Sequence, residues 1–553
     1  MPRVETRIRF LFTGFLVLLT LAGARAAYMG VVKGGGLASA ATSQQVAVQE
    51  VVARRGSITD RHGAPLATSE PADDISATPY LVKDPVHAAA KIAPLLRLDE
   101  NAVAKQLARR DTGFVYLARR VPAVTSDKVK ALDIAGIDLT PASLRTYPRG
   151  MLAAQVIGAV GLDGGGLFGL EFSRNKLLAG SDGKRRTVFD GGRQPIEVQD
   201  VQRAEPGRRL RLTIDAEVQE RTEEILQGVG ASYRPKSASA IVMDPRNGAL
   251  LAVANWPRID ANAPGKSPAW ALQNQAVGMT YEPGSTFKAF TVAAALQDGE
   301  VTPHTEFNLP PQIQVADRVI GESHPRGWVT LDTGGILAQS SNVGAITIGQ
   351  RLGGRRFDQW VRKFGFGSPT GVDLPGEEQG LVLPYAKYSG SSMGNLPIGQ
   401  GELVTPMQMA TAYSAIANGG ILRRPHLVEA LDGKATPLPP GKRVISPRIA
   451  HEVRKMLEGV LAPGGTASEV KIPGYVLAGK TGTANKIDPA TGKYSDSKYV
   501  ASFVGMAPAS NPRLLIAVVV DEPQGAIYGG TVAAPAFGKI ASFALPYLRI
   551  PPS

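Results

Sequence analysis

The sequence predicts an α+β chain in three parts: one N-terminal transmembrane helix over 10–32, an irregular α+β region over 33–205, and a large mixed domain over 206–553 built as an antiparallel sheet with helices. Three observations carry this. Residues 10–24 are fifteen uncharged, mostly apolar residues behind a basic N-terminus. Between 50 and 205, short strand-like and helix-like pieces alternate with frequent Gly and Pro. From 207 onward, strand patterns stand at both ends of a run of helical periodicity, as one mixed domain requires.

Arg3, Arg7 and Arg9 precede the apolar segment and hold residues 1–9 on the cytoplasmic side. Fifteen residues at about 1.5 Å rise fall short of a ~30 Å hydrocarbon core, so a spanning helix runs to Val32 and carries Arg25. Eleven Leu, Phe and Val residues between Phe10 and Val32, at about −0.3 to −0.6 kcal/mol each, outweigh an off-centre Arg costing at most about +3.5 kcal/mol. Ala24-Arg25-Ala26 also fits an Ala-x-Ala cleavage site, so a cleaved signal peptide is the alternative to an anchor; either exports the remainder. Residues 33–49 are small and polar and read as a tether. In the large domain, 210–214 and 238–243 read as strands, Asp244-Pro-Arg-Asn-Gly248 as a tight turn, and 250–254 as the return strand. A second pair, 499–507 and 514–521, is joined across Pro508 and Pro512. Helical spacing of Ala and Leu fits 286–296, 406–416 and 449–461.

Composition narrows the chemistry. The 61 Lys and Arg against 48 Asp and Glu give +13 on a chain that is only 20% charged. No run of five like charges occurs and aromatics are 6%, so no nucleic-acid partner is expected. Cysteine is absent, which removes thiol nucleophiles, disulfides and Cys-ligated metals. The six histidines are scattered, no two within ten residues, so no His-x-x-x-His helix exists and neither metal nor cofactor is expected. Ser, Thr, Lys, Asp, Glu or Asn must do the work.

Three familiar motifs mislead. Gly164-x-Gly166-x-x-Gly169 matches a dinucleotide fingerprint, but no βαβ series surrounds it, and a glycine-rich turn is the expectation. Gly390-x-Ser392-x-Gly394 matches a nucleophile elbow without a preceding strand or a closing Asp and His, so Ser392 reads as a loop serine. The run from Gly474 to Gly479-Lys480-Thr481 satisfies a phosphate-binding loop, yet Tyr475-Val-Leu-Ala478 is itself strand-like, and Gly482 and Gly492 follow where a helix would begin.

What remains is an ordered set: Ser285-Thr-Phe-Lys288, Ser340-Ser-Asn342 and Lys480-Thr-Gly-Thr483, matching the Ser-x-x-Lys, Ser-x-Asn and Lys-Thr-Gly signature of penicillin-recognising serine enzymes. Pro283-Gly284 breaks the chain so that Ser285 opens a helix, and a residue at i+3 lies on the same face, within reach of Ser285 Oγ. A serine hydroxyl needs a base. For Lys288 to be that base its pKa must fall to near 7, and burial with Lys480 as a second cation supplies such a shift. Ser340 is expected to relay the proton and Asn342 to hydrogen-bond the substrate amide. Lys480 to Thr483 reads as a strand on which Gly482 lets an extended peptide lie, with Thr481, Thr483 and Lys480 suited to a terminal carboxylate. Backbone N–H groups of Ser285 and Thr483 are expected to form the oxyanion hole.

These motifs resemble the class B penicillin-binding proteins, most closely the division-specific FtsI type, and the resemblance covers nearly the whole chain beyond the membrane segment. Arg55-Gly-Ser-Ile-Thr-Asp-Arg-His-Gly63, Arg145-Thr-Tyr-Pro148 and Gly169-Leu-Glu171 resemble motifs of that family's non-catalytic, dimerisation-like pedestal. Tyr281 to Lys288 resembles its nucleophile motif, and Gly399-Gln-Gly401, Thr405-Pro406, Gly464-Gly-Thr-Ala467 and Tyr528-Gly-Gly530 match further landmarks. Gln275 departs from it, standing where an Arg is common. The resemblance implies a penicillin-binding transpeptidase fold and a peptidoglycan D,D-transpeptidase anchored in the inner membrane at the division septum. Ser285 would attack the D-Ala-D-Ala bond of peptidoglycan stem peptides and be acylated by β-lactams. It further implies contact with membrane lipid, and partnership with a SEDS glycosyltransferase of the FtsW type and other divisome membrane proteins. An elongation-type transpeptidase, a β-lactam-sensing receptor and a D,D-carboxypeptidase use the same serine and stand as alternatives.

Overall fold

The computed structural model describes residues 2–33, 35, 46–189, 195–488 and 490–552. Most of the tether expected over 33–49 lies outside the described residues. The N-terminal helix Pro2–Ala27 runs on through a π-turn Tyr28–Val32, and Val4–Val32 is long and apolar enough to cross a membrane. Its apolar side chains are exposed, as a helix without a protein partner leaves them.

Two compact units follow, interleaved in sequence. The smaller draws on residues 1–54, 71–144 and 180–207, the larger on 55–70, 145–179 and 208–553. A single cut between 205 and 206 therefore differs from the packing, because two stretches of the expected pedestal fold into the larger unit. They join it through their own contacts: Ile58–Thr59 pairs with Leu210–Leu212, Ala153 N donates to Glu223 Oε1 at 2.8 Å and Arg174 Nη2 to Asp373 Oδ1 at 2.6 Å, while one buried carboxylate ties the two stretches to each other. Glu171 is fully buried; it accepts Arg55 Nε at 2.6 Å and Arg145 Nε at 2.7 Å, one on each oxygen. Arg55 also donates to the carbonyls of Gly164 and Glu171, and Arg145 to that of Gly56. A Cβ on Gly166 would lie 2.0 Å from Glu171 O, so the glycine-rich stretch is a turn wrapped tightly around this clamp and not a nucleotide loop.

In the smaller unit, Val46–Val51, Gly183–Phe189 and Pro195–Gln202 form an antiparallel sheet, while helices Pro85–Leu96 and Glu100–Leu107 enclose a core around Ile75, Ile92 and Leu107.

The larger unit is built on a five-stranded antiparallel sheet. Its spatial order is Ala249–Trp256, Ser237–Asp244, Leu514–Asp521, Tyr494–Ala507, Ala478–Ile487, which leaves Ala478–Ile487 at an edge. Gly248, at φ 82°, closes the tight turn after Asp244 by donating its N–H to Asp244 O. Leu514–Asp521 is buried along its whole length and reads as an unbroken apolar run, because helices cover both faces. One covering pair is Ala216–Tyr233 with Ala534–Tyr547, the other Pro406–Ala417 with Pro447–Glu458. Leu210–Leu212 belongs to a different sheet, pairing with Val428–Leu431 and Ile58–Thr59. Tyr475-Val-Leu-Ala478 is not a strand: Tyr475 forms a lone bridge to Ile472, and pairing begins only at Ala478. Lys480 sits inside that strand, so no helix starts there and the phosphate-loop geometry is absent.

Candidate active site

The turn Gly284–Phe287 is 3-10 helix, and the α-helix proper is Lys288–Gln297, so Ser285 lies one turn before the helix that was expected to start with it. Gly284 takes φ 53°, where its missing side chain lets Thr483 O approach; a Cβ would stand 3.0 Å from that oxygen. The helix is buried from Lys288 through Leu296. An apolar, Ala-rich helix can be surrounded in this way. Phe287 and Phe290 pack against Phe364, Phe366 and Tyr413, and Tyr413 Oη donates to Thr286 O at 2.6 Å, which fixes the turn that carries the half-buried Ser285.

Lys288 is fully buried. Its Nζ donates to Ser340 O at 2.6 Å, Asn342 Oδ1 at 2.7 Å and Ser340 Oγ at 3.3 Å. Ser285 Oγ is not among these partners. Lys480, also fully buried, donates its Nζ to Ser340 Oγ at 2.8 Å. Ser340 is a non-glycine residue at φ 59°, a conformation costing about 1–3 kcal/mol. It turns the chain between helices Thr333–Ala338 and Asn342–Leu352 so that its carbonyl and hydroxyl both face Lys288.

Burial pushes the Lys288 ammonium down to about 7, and the carboxylate of Glu322 opposes the fall. Lys480 is lowered well below the ordinary lysine value, first by burial and then by the charge of Lys288. Burial leads for both lysines, and their two charges repel across Ser340 Oγ, which lowers the pair further. Asn342 is engaged at both ends, Oδ1 by Lys288 and Nδ2 by Gly321 O at 2.9 Å, so a substrate amide would share Oδ1.

Sequence reasoning missed Glu322. It accepts from Ser341 Oγ and Asn342 N, each at 2.6 Å, and from Arg326 Nη2 at 2.5 Å, and so locks the Ser-x-Asn loop. No motif spacing marks it, since it arrives from a loop after the hairpin 312–321. Glu282 and Glu402 were also missed. Glu282 accepts from Gly401 N and Tyr494 Oη, and both carboxyls are pushed up, chiefly by burial.

The edge strand supplies the other wall. Thr481 Oγ1 lies 2.7 Å from Thr466 Oγ1, and Thr483 Oγ1 accepts from Gly529 N at 3.1 Å. The landmark stretches around 464–467 and 528–530 thus brace the two threonines. Gly482 is required by the protein itself: a Cβ there would meet Ser502 Oγ at 2.4 Å, Thr286 Cγ2 at 2.9 Å and Pro283 O at 3.0 Å. Its missing side chain makes room for the nucleophile turn, a nearer reason than room for a peptide.

The structure therefore brings Ser285, Lys288, Ser340, Asn342 and Lys480 to one place, with Thr481, Gly482 and Thr483 beside them on a sheet edge. A half-buried hydroxyl three residues before a lysine lowered to about 7, a second hydroxyl shared with another lysine, and a sheet edge carrying two threonines are the groups that acyl transfer needs. Ser392 lies apart, in the short helix Ser392–Asn395, accepting from Ser389 N. Among the described residues no cluster of His, Asp or Glu is placed to hold a metal.

Two family descriptions match: the penicillin binding protein transpeptidase domain over 238–542 and the penicillin-binding protein dimerisation domain over 50–212. The chain is 35% identical to penicillin-binding protein PbpB of Mycolicibacterium smegmatis, over 97% of this chain and 89% of that one. It is 34% identical to peptidoglycan D,D-transpeptidase FtsI of Escherichia coli, over 99% and 93%. Among solved structures, penicillin-binding protein 3 of Mycobacterium tuberculosis complexed with aztreonam aligns with a TM-score of 0.72 at 32% identity, covering 92% of this chain and 98% of that one.

Proposed function

This chain belongs to the class B penicillin-binding proteins of the FtsI type, and we propose that it is the D,D-transpeptidase that cross-links peptidoglycan at the division septum. One observation carries the chemistry: Ser340 Oγ lies between two buried lysines beside the turn that holds Ser285. Neutral Lys288 takes the proton from Ser285 Oγ, which attacks the carbonyl carbon of the penultimate D-Ala. The tetrahedral oxyanion rests on the N–H groups of Ser285 and Thr483. The C–N bond breaks, the proton returns through Ser340 to the departing amine, and D-Ala leaves. An amine of a neighbouring stem peptide then attacks the acyl-enzyme, and the same route runs in reverse. Lys480, Thr481 and Thr483 receive the terminal carboxylate, Asn342 the donor amide, and Gly482 keeps the wall thin. A β-lactam, an amide strained into a ring, acylates Ser285 and remains.

The apolar helix is the single anchor in the inner membrane, with residues 1–9 cytoplasmic, the catalytic unit outside, and lipid and divisome membrane proteins around it. Glycan polymerisation falls to a partner of the SEDS type. Fluorescent penicillin labels the wild-type protein and not Ser285→Ala; persistent labelling of the variant would overturn the assignment. A tagged protein concentrated at midcell supports the septal role, and side-wall localisation would assign elongation instead.

A further inference from the structure

Glu282 stands three residues before Ser285 and has no part in the proton route. It is buried, and among the described residues no cation pairs with it or with its buried neighbour Glu402. A buried carboxyl without a cation is costly unless hydrogen bonds compensate it. Glu282 has two donors, both from distant segments of the chain: Gly401 N gives to Oε1 at 2.9 Å, and Tyr494 Oη to Oε2 at 3.0 Å.

These bonds join three segments around the nucleophile. On one side the Gly399-Gln-Gly401 turn is pressed against the turn of Ser285: Gly284 N donates to Gly399 O at 2.9 Å, and a Cβ on Gly399 would stand 2.2 Å from Gly284 O. On the other side Tyr494 opens the strand Tyr494–Ala507, whose register against Ala478–Ile487 sets Ala501 opposite Thr483 and Tyr494 opposite Ile487. Ile487 lies four residues beyond Thr483, or ~13 Å along the strand at ~3.3 Å per residue. Among the described residues Ala478–Ile487 has no further neighbour in the sheet, so the ladder leaves the outer end of this hairpin unsupported on that side. Tyr494 Oη ties that end back to the carboxyl in front of Ser285.

We propose that Glu282 and Tyr494 are positioning residues that set the width of the oxyanion hole, by latching the hairpin that carries Thr483 to the turn that carries Ser285. The assignment rests on the transpeptidase reading and deepens it by naming what holds the two oxyanion donors at a fixed separation. Such donors act only within about 2.7–3.1 Å of the oxygen that becomes charged, so a hairpin free to swing weakens the transition state and leaves the first encounter with the ligand as it was. Loss of a whole donor costs about 10²–10³ in rate, and loosening one is expected to cost about tenfold. The latch touches no substrate; it acts through Thr483 N.

The test uses the full chain in detergent and stopped-flow acylation by a fluorescent penicillin, which separates the Kd of the first complex from the acylation rate. Glu282→Gln and Tyr494→Phe are each expected to lower that rate about tenfold at unchanged Kd. The double variant falls no further than the slower single one, because both changes open the same latch. Tyr494→Phe removes one oxygen from an exposed ring and leaves the fold intact, so it decides the question by itself where Glu282→Gln is unstable. A purely structural role lowers the unfolding temperature and leaves the acylation rate of the folded protein at the wild-type value, which overturns the proposal. Losses that multiply to about a hundredfold in the double variant, or that fall on Kd, overturn it as well. In each of these outcomes the wild type still takes penicillin and the transpeptidase reading stands; a wild-type protein that takes none overturns both.

Discussion

Lys288 Nζ and Lys480 Nζ reach the same atom, Ser340 Oγ, at 3.3 and 2.8 Å, and both lysine side chains are fully buried. Two ammonium groups sharing one hydroxyl without solvent is unfavourable, so the pair sheds protons far below the ordinary lysine range. Ser340 Oγ thus bridges the two amines, where the proposed mechanism passes the proton, and the arrangement yields a measurable pH dependence.

Acylation by penicillin should rise with pH through an apparent pKa near 7, as Lys288 loses its proton and becomes a base. Stability follows the same group. Its folded pKa lies below the unfolded value of 10.5, so the unfolded chain binds more protons between about 7 and 10.5, and stability rises with pH across that window and is lost as pH falls through 7. Lys288→Met should lack both effects: no labelling at any pH, and a thermal-unfolding difference from wild type that grows from pH 7 to 10. A flat difference would show that Lys288 does not titrate there.

Glu322→Gln should move the acylation profile toward lower pH, because the Glu322 carboxylate holds the Lys288 pKa up and its removal lets burial act unopposed. The same change weakens the grip on Ser341 and Asn342, so the plateau rate should fall by about tenfold, the worth of one charged hydrogen bond. Labelling rates across pH 5 to 9 would separate the two effects, and an unshifted limb would contradict the electrostatic role.

Gly482→Ala should abolish rapid labelling while leaving the sheet folded. The added methyl would press on Thr286 Cγ2 and Pro283 O and displace the turn that carries Ser285. A loss of acylation of at least tenfold, with an unfolding temperature changed by only a few degrees, is the expected pattern.

Glu171→Ala should destabilise the larger unit by about 3–5 kcal/mol, since it strands two buried guanidinium groups. The cost appears in thermal or urea unfolding and not in the pH profile of acylation at low temperature. A near-neutral effect would show that the two arginines find other partners.

The sequence by itself determined the family and the residues proposed for its chemistry. Without Cys, and with no His near the motifs, Ser285 needed a lysine, and Lys288 stood three residues on. It also determined the apolar helix, the strands 238–243, 250–254 and 514–521, and the helices around 406–416 and 449–461, because periodicity and turn residues act over a few neighbours. Tertiary structure decided what long-range packing controls. Arg55, Arg145 and Glu171 stood apart as motifs and meet in one buried clamp, which ties together two pedestal segments that fold with the larger unit. Glu322 reaches Asn342 across nineteen intervening residues, a contact that no local pattern encodes. The fall in the Lys288 pKa comes chiefly from burial, and desolvation depends on everything packed around the ammonium, which only the folded chain sets.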